Sequence, residues 1–178
     1  DDTLSIALTE GISGTFTVGD TTGGNPSAYD YASLVQVQSL LDSVGAICDT
    51  VVFEIADGSY SAAMNLIELI GTAPDRPVIF RSMSGDASLV QIRSGAASTI
   101  TLDGGDNYFF ENLSISNTTN GSSTIRMNND NDNIRIESCI IDNATVNSTN
   151  SNGAAIYGDN TAQNNLSITK LPKLRHIF

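Results

Sequence analysis

Four aspartates are the residues whose type and spacing suggest metal binding. Asp103 and Asp106 lie in one polar segment, and Asp130 and Asp132 lie in the next, 26 or 27 positions later. Clustered carboxylates are ligands that Ca²⁺ prefers, since it takes about six to eight oxygen atoms. Asp and Asn also favour tight turns, and the segment Asn128–Asn133 lacks the glycine and final glutamate of a Ca²⁺-binding loop. We favour turn geometry and predict no cofactor, with a Ca²⁺ site as the alternative.

Two arginines are the candidates for polysaccharide cleavage. Elimination at an acidic sugar needs a base and a cation that neutralises the carboxylate. Arg126 and Arg135 are the basic residues of the two repeats that contain the aspartates. Arg135 alternates with apolar Ile134 and Ile136, so we expect it to face solvent and form a structural ion pair with Glu137. We therefore predict no catalytic residue.

Histidine chemistry has little support in this chain. His176 is its one histidine and lies close to the final residue. Serine–histidine triads and histidine-ligated metals both need that side chain. Outward aspartates are numerous, so a pair of carboxylates at the ~5–9 Å typical of glycoside hydrolysis carries little information.

The elements that would position these side chains repeat along the chain. Apolar residues alternate in short runs, which are separated by polar turns at a period in the twenties, a pattern typical of a solenoid. The first predicted ladder contains Val51/Phe53, Val78/Phe80, Tyr108/Phe110 and Ile134/Ile136. The second contains Val90/Ile92, Leu113/Ile115, Cys139/Ile141 and Leu166/Ile168. The third contains Ile100/Leu102, Ile125/Met127 and Ala154/Ile156. Three ladders predict an all-β fold, a right-handed parallel β-helix with three strands per coil.

One amphipathic helix precedes the repeats and defines the domain boundaries. Residues 1–29 are predicted as a strand and loop segment, 30–45 as a capping helix, 46–169 as the parallel β-helix, and 170–178 as an atypical basic tail. Asp30 or Ser33 is expected to be the N-cap and Gly45 to end the helix. The helix would cover the open end of the first coil. The tail either caps the last coil or marks a non-native end.

The two cysteines are expected to be reduced. Cys48 and Cys139 lie several predicted coils apart. Stacked strands are roughly 4.8 Å apart, so the two Cα atoms would exceed the ~7 Å limit for a disulfide. We expect both to be small apolar fillers of the core.

Composition narrows the range of partners. The net charge is −12, which argues against nucleic acid. No apolar run approaches the ~18 residues of a membrane span. The chain begins at Asp1 and Asp2 without a positively charged start or an apolar signal region, which we expect either of a mature secreted product whose leader has been removed or of a trimmed chain.

Several motifs resemble one known family. These are Asp57-Gly-Ser-Tyr60, Pro77-Val-Ile-Phe-Arg-Ser82, Leu102-Asp-Gly104 and Phe110-Glu-Asn-Leu-Ser-Ile115, together with the helix. Over roughly residues 14–145 the chain resembles the amino-terminal part of pectin-lyase-like β-helix proteins that Bacteroidota secrete or display on their surface. The resemblance implies the fold and a secreted or cell-surface location, and it is not specific for an activity.

Three functions are consistent with this pattern. We favour a non-catalytic β-helix module that acts as a rigid spacer, an adhesin or a glycan-contacting surface, with glycans or other cell-surface molecules as partners. The second is the amino-terminal fragment of a Ca²⁺-dependent polysaccharide lyase. The third is a structural solenoid that self-associates end to end.

Overall fold

Parallel strands dominate the protein. The computed structural model describes residues 11–19, 28–143, 154–158, 164–170 and 173–174. Within these residues there are one helix and three sheets, and every pairing between named strands is parallel.

The six-stranded sheet contains, in spatial order, β1 (Ile12–Val18), β2 (Ile47–Ile55), β5 (Val78–Ser82), β8 (Tyr108–Glu111), β11 (Asn131–Glu137) and β14 (Asn164–Thr169). The five-stranded sheet contains β3 (Gly58–Ser61), β6 (Val90–Ser94), β9 (Ser114–Asn117), β12 (Ile140–Asn143) and β15 (Lys173–Leu174). The four-stranded sheet contains β4 (Met64–Ile67), β7 (Ser98–Asp103), β10 (Ser123–Asn128) and β13 (Ile156–Gly158).

Successive strands enter the three sheets in a constant rotation. From β2 onward, the chain passes from the six-stranded to the five-stranded and then to the four-stranded sheet before it returns. Three such strands make one repeat, and each strand pairs with its counterparts in the neighbouring repeats. This topology is consistent with the predicted all-β parallel solenoid.

Inward side chains stack in columns between the sheets. Phe53, Phe80 and Phe110 are at most 1% exposed, and their rings stack with centroid distances of 5.1 Å and 5.7 Å. Ile136 continues the column in register with Phe110. The predicted neighbours are therefore confirmed, and Phe16 of β1 extends the column beyond Phe53 at 5.8 Å.

The last repeat differs from the prediction. Leu166 and Ile168 pair with Ile134 and Ile136 in the six-stranded sheet, and not with the ladder of Ile141. Leu174 pairs with Ile141 instead. The alternation of Leu166 and Ile168 suits a strand of either sheet. Only the length of the chain between successive strands indicates which of the two sheets the strand joins. The connection from β12 to β13 is longer here than the corresponding connections in the preceding repeats.

The third ladder also has a different register at its end. Ile156 pairs with Ile125, whereas the sequence pattern predicts Met127 as its partner. Ala154 is buried and precedes the strand. The column begins one repeat earlier than predicted, because Met64 of β4 pairs with Ile100 of β7.

The helix α1 (Leu34–Val44) is shorter than predicted. Ser33 is its N-cap and accepts a hydrogen bond from the Gln36 backbone N–H at 3.3 Å. Asp30 instead accepts hydrogen bonds from the backbone and hydroxyl of Thr17 at 2.7 Å and 2.8 Å. Gly45 ends the helix with a φ of 60°, a left-handed conformation that favours glycine.

The helix also shields the edge of a sheet. The Gln38 amide donates to the Asn65 carbonyl at 2.7 Å and accepts from the Asn65 N–H at 3.0 Å. Asn65 lies in β4, the edge strand of the four-stranded sheet. The side-chain amide therefore takes the place of a neighbouring strand, which protects an edge that could otherwise pair with another chain.

Both cysteines are free, but only one is a core residue. Cys139 is fully buried, whereas Cys48 is exposed and donates its thiol to the Gly11 carbonyl at 2.9 Å. The prediction of a second apolar filler is wrong for Cys48. Its part of β2 lies before the inward alternation that begins at Val51.

Candidate functional site

The four predicted aspartates lie at two stacked turns between the four-stranded and six-stranded sheets. The Asp103 carboxylate accepts a hydrogen bond from the Asn129 amide at 2.7 Å. The Asp106 carboxylate accepts one from the backbone N–H of Asp132 at 2.7 Å. Asp130 and Asp132 are exposed. Two of the four carboxylates therefore connect one turn to the next.

Asparagines complete these turns. Asn107, Asn129 and Asn133 have φ values of 59°, 58° and 55°, in the left-handed region that asparagine tolerates. The Asn133 amide donates to Asn107 at 2.8 Å, and the buried Asn131 accepts from the Gly105 N–H at 3.0 Å. Turn geometry therefore gives these polar residues a structural role.

No metal cluster is formed by the residues that the structure describes. Among them, no three His, Cys, Asp or Glu side chains are arranged so that they could hold an ion. Asp103, Asp106, Asp130 and Asp132 as Ca²⁺ ligands stay a prediction.

Arg135 forms the predicted structural ion pair. Its guanidinium contacts the Glu137 carboxylate, lies 3.9 Å from Glu111, and covers the Phe109 ring at 5.5 Å from the centroid. The hydrogen bond from Arg135 and a second one from Lys170 lower the pKa of Glu137. The same bond raises the pKa of Arg135. This group is a surface charge network.

Arg126 lies on a different sheet from Arg135. Its guanidinium stacks over Tyr157 at 5.4 Å, and its Nε donates to the Asn128 side chain at 2.9 Å. The two arginines therefore do not converge on one substrate position. His176 lies outside the described residues.

A third arginine, missed by sequence reasoning, lies in a surface trough of about 310 Å³. Arg93 of β6 is exposed and is in register with Ser61 of β3 and Ser116 of β9. Ser59, Gly95 and Thr118 are among the other residues that line the trough, which we call the Arg93 trough. The alternation of Ser59 and Ser61 around an inward tyrosine was the available sequence signal.

A second hollow of about 510 Å³ lies over the turns between the six-stranded and five-stranded sheets. Asn112, Ser138 and Lys170 line it together with the loop 84–88. These three residues have φ values of 54°, 54° and 51°. Lys170 donates to Glu137 at 3.1 Å, so its charge already has a partner.

One further finding concerns membranes. In the described ranges, the protein has no helix that is both long and apolar enough to cross a bilayer.

The chain was compared with protein-family models, with curated proteins and with solved structures, and none of the three comparisons found a match.

Proposed function

We propose that the chain is a non-catalytic module of a secreted or cell-surface bacterial protein. It acts as a rigid spacer, an adhesin or a glycan-contacting surface. Its three parallel sheets form a right-handed β-helix of the pectin-lyase-like kind found in Bacteroidota.

One observation carries this proposal. The core is continuous, while the two arginines of the repeats that contain the clustered aspartates lie on different sheets. Arg135 is held by Glu137 and Arg126 by Tyr157 and Asn128. Each guanidinium already has partners within the protein, and the two arginines lie on different sheets. Neither is well placed to neutralise the carboxylate of a sugar next to a catalytic base.

The topology supports the finer description of the fold. Strands rotate through three sheets, and two-residue connections join β8 to β9 and β11 to β12. Parallel strands connected within one sheet cross over in the right-handed sense in about 98% of cases. A right-handed coil is therefore the expected handedness.

A turnover assay tests the absence of catalysis. The whole chain is incubated with acidic polysaccharides in the presence of Ca²⁺, and the ultraviolet absorbance of unsaturated products is followed. We expect no increase over a heat-denatured control. Sustained product formation would instead support the lyase fragment.

Self-association is a second candidate because one inward column is open at its last described strand. Ile168 is in register with the buried Ile136, yet it is 39% exposed. End-to-end stacking of two chains would cover this apolar surface. Light scattering over a hundredfold range of concentration tests it, since a constant monomer mass excludes this candidate.

A further inference from the structure

Among the arginines that the structure describes, Arg93 is distinguished by its lack of a charged or aromatic partner. Arg81 and Arg135 pair with glutamates, Arg76 lies 3.9 Å from Asp75, and Arg126 stacks on a ring. Arg93 donates one hydrogen bond, from Nη2 to the side-chain oxygen of Gln91 at 2.5 Å. A guanidinium carries five N–H donors, so most of its donors have no protein acceptor among the described residues.

Residues with hydroxyl groups line the trough together with Arg93. The hydroxyls of Ser59 and Ser61 line the trough and make no hydrogen bond to another described residue. Thr118 donates its hydroxyl to the Ser94 carbonyl at 3.1 Å, which leaves its oxygen able to accept. Hydroxyls both donate and accept, so together they match the hydroxyl groups of a sugar.

Charge favours an anion at this position. The chain has a net charge of −12, which repels anions from most of its surface. Across the five-stranded sheet, the neighbours of Arg93 in register are the uncharged Ser61 and Ser116, and Asp142 lies one strand further away. A guanidinium binds carboxylate or sulfate with two parallel hydrogen bonds.

We propose that the Arg93 trough binds a monosaccharide-sized ligand that carries one carboxylate or sulfate among hydroxyl groups. Arg93 binds the oxyanion, and Ser59, Ser61 and Thr118 contact the hydroxyls. A trough of about 310 Å³ lies at the lower end of the roughly 300–1,000 Å³ typical of ligand pockets. This inference deepens the glycan-contacting role proposed above and rests on that part of it alone.

Binding is tested by amide chemical-shift titration of the whole chain at low ionic strength. The probes are glucuronate, glucose, acetate and inorganic sulfate. We expect glucuronate to produce saturable shifts centred on β3, β6 and Gly95 and to bind at least tenfold more tightly than glucose, acetate or sulfate. Equal binding of acetate and glucuronate would overturn the contribution of the hydroxyls.

Two variants separate the site from the overall charge. Arg93→Gln should weaken glucuronate binding at least tenfold, whereas Arg76→Gln removes the same charge elsewhere and should change it less than twofold. Equal losses in the two variants would contradict the proposal, as would an absence of saturable shifts. Thermal melts compare the folding of the variants with that of the parent chain.

A third variant tests the shape of the trough. A Cβ atom at Gly95 would lie 3.5 Å from the Thr118 hydroxyl, so Gly95→Leu fills the trough without changing its charge. It should abolish the preference for glucuronate over acetate. Failure to bind glucuronate leaves the non-catalytic module intact, because that proposal is contradicted by product formation in the turnover assay.

Discussion

Ser138 occupies a turn position that disfavours its side chain. Its φ is 54°, and left-handed backbone costs most non-glycine residues roughly 1–2 kcal/mol. The equivalent position one repeat earlier is Asn112, with the same φ of 54°, and asparagine tolerates this conformation better. Ser138 therefore carries strain that the asparagine at the equivalent position of the preceding repeat reduces.

Ser138→Asn should stabilise the protein by about 0.5–1 kcal/mol, because it relieves part of that strain. Urea unfolding followed by circular dichroism measures the change. The matched control is Ser114→Asn in the extended strand β9, which should give no gain. A Ser138→Asn variant that is no more stable than its parent would contradict this explanation of the turn.

The two thiols should differ sharply in reactivity. Burial raises the pKa of Cys139 to about 12, and thiolate is the reactive form. At pH 8 an aromatic disulfide reagent should modify one thiol per native chain, the exposed Cys48. The second should react only after denaturation. Rapid modification of two thiols in the native protein would show that the core around Cys139 opens readily.

The same burial predicts a loss of stability at alkaline pH. A thiol ionises near pH 8.5 in an unfolded chain, whereas Cys139 holds its proton until about pH 12. Between these values the unfolded state binds fewer protons, so the free energy of unfolding falls as pH rises. Cys139→Val should flatten this slope when urea midpoints are compared from pH 8 to 10. If the dependence of stability on pH is the same in Cys139→Val, other groups cause the loss of stability at alkaline pH. Tyr108 is one such group, because burial also raises its pKa.

At the scale of elements, the Gln38 side chain hydrogen-bonds the helix to the edge strand β4. Gln38→Ala should lower the stability by about 1–2 kcal/mol, because it leaves the Asn65 N–H and carbonyl without these partners. It should also increase aggregation, since the edge of β4 becomes available. Urea unfolding and light scattering measure the two effects.

The control for Gln38 is Gln91→Ala on β6. Gln91 accepts from Arg93 and donates weakly to Ser88 at 3.4 Å, and neither bond protects a strand edge. Its loss should cost less than about 1 kcal/mol, as for most surface substitutions. Similar effects of the two substitutions would show that the amide of Gln38 has no special role at the edge.

The interior columns could be predicted from the sequence because repeats of similar length, with steps of 27, 30 and 26 residues in the first column, keep one apolar alternation in register. Val51, Val78 and Tyr108 are neighbours as expected. In the last repeat the connection between β12 and β13 is longer than in the earlier repeats. The alternation of Leu166 and Ile168 alone does not specify which sheet they join. The sequence pattern therefore assigns Leu166 and Ile168 to the column of Ile141, whereas they lie in the column of Ile136. The residue types suit either column.

The surface could be predicted less well than the core. The Arg135–Glu137 pair follows from local alternation. The Arg93 trough depends on β3 and β6 being in register, although β4 and β5 separate those strands in sequence. Its polar residues carry no periodic apolar signal, so only the folded arrangement brings Ser59, Ser61 and Arg93 together.

For the whole molecule, each repeat contacts its neighbours, so stability depends on the continuity of the columns. Phe80 is 1% exposed and stacks between Phe53 and Phe110. Phe80→Ala should lower the free energy of unfolding by about 3–5 kcal/mol, as expected for a large cavity in a packed core.

Phe16→Ala is the matched comparison, since Phe16 ends the same column on the edge strand β1 and is only partly buried. It should cost less than half as much, because solvent can fill part of the space and Phe53 keeps its contact with Phe80. Urea unfolding followed by far-ultraviolet circular dichroism and by tyrosine fluorescence measures both variants. Coincident transitions are expected if the repeats unfold together. Equal losses for Phe16 and Phe80 would show instead that stability does not depend on a residue's position along the column, and that the edge repeat is as strongly coupled as the centre.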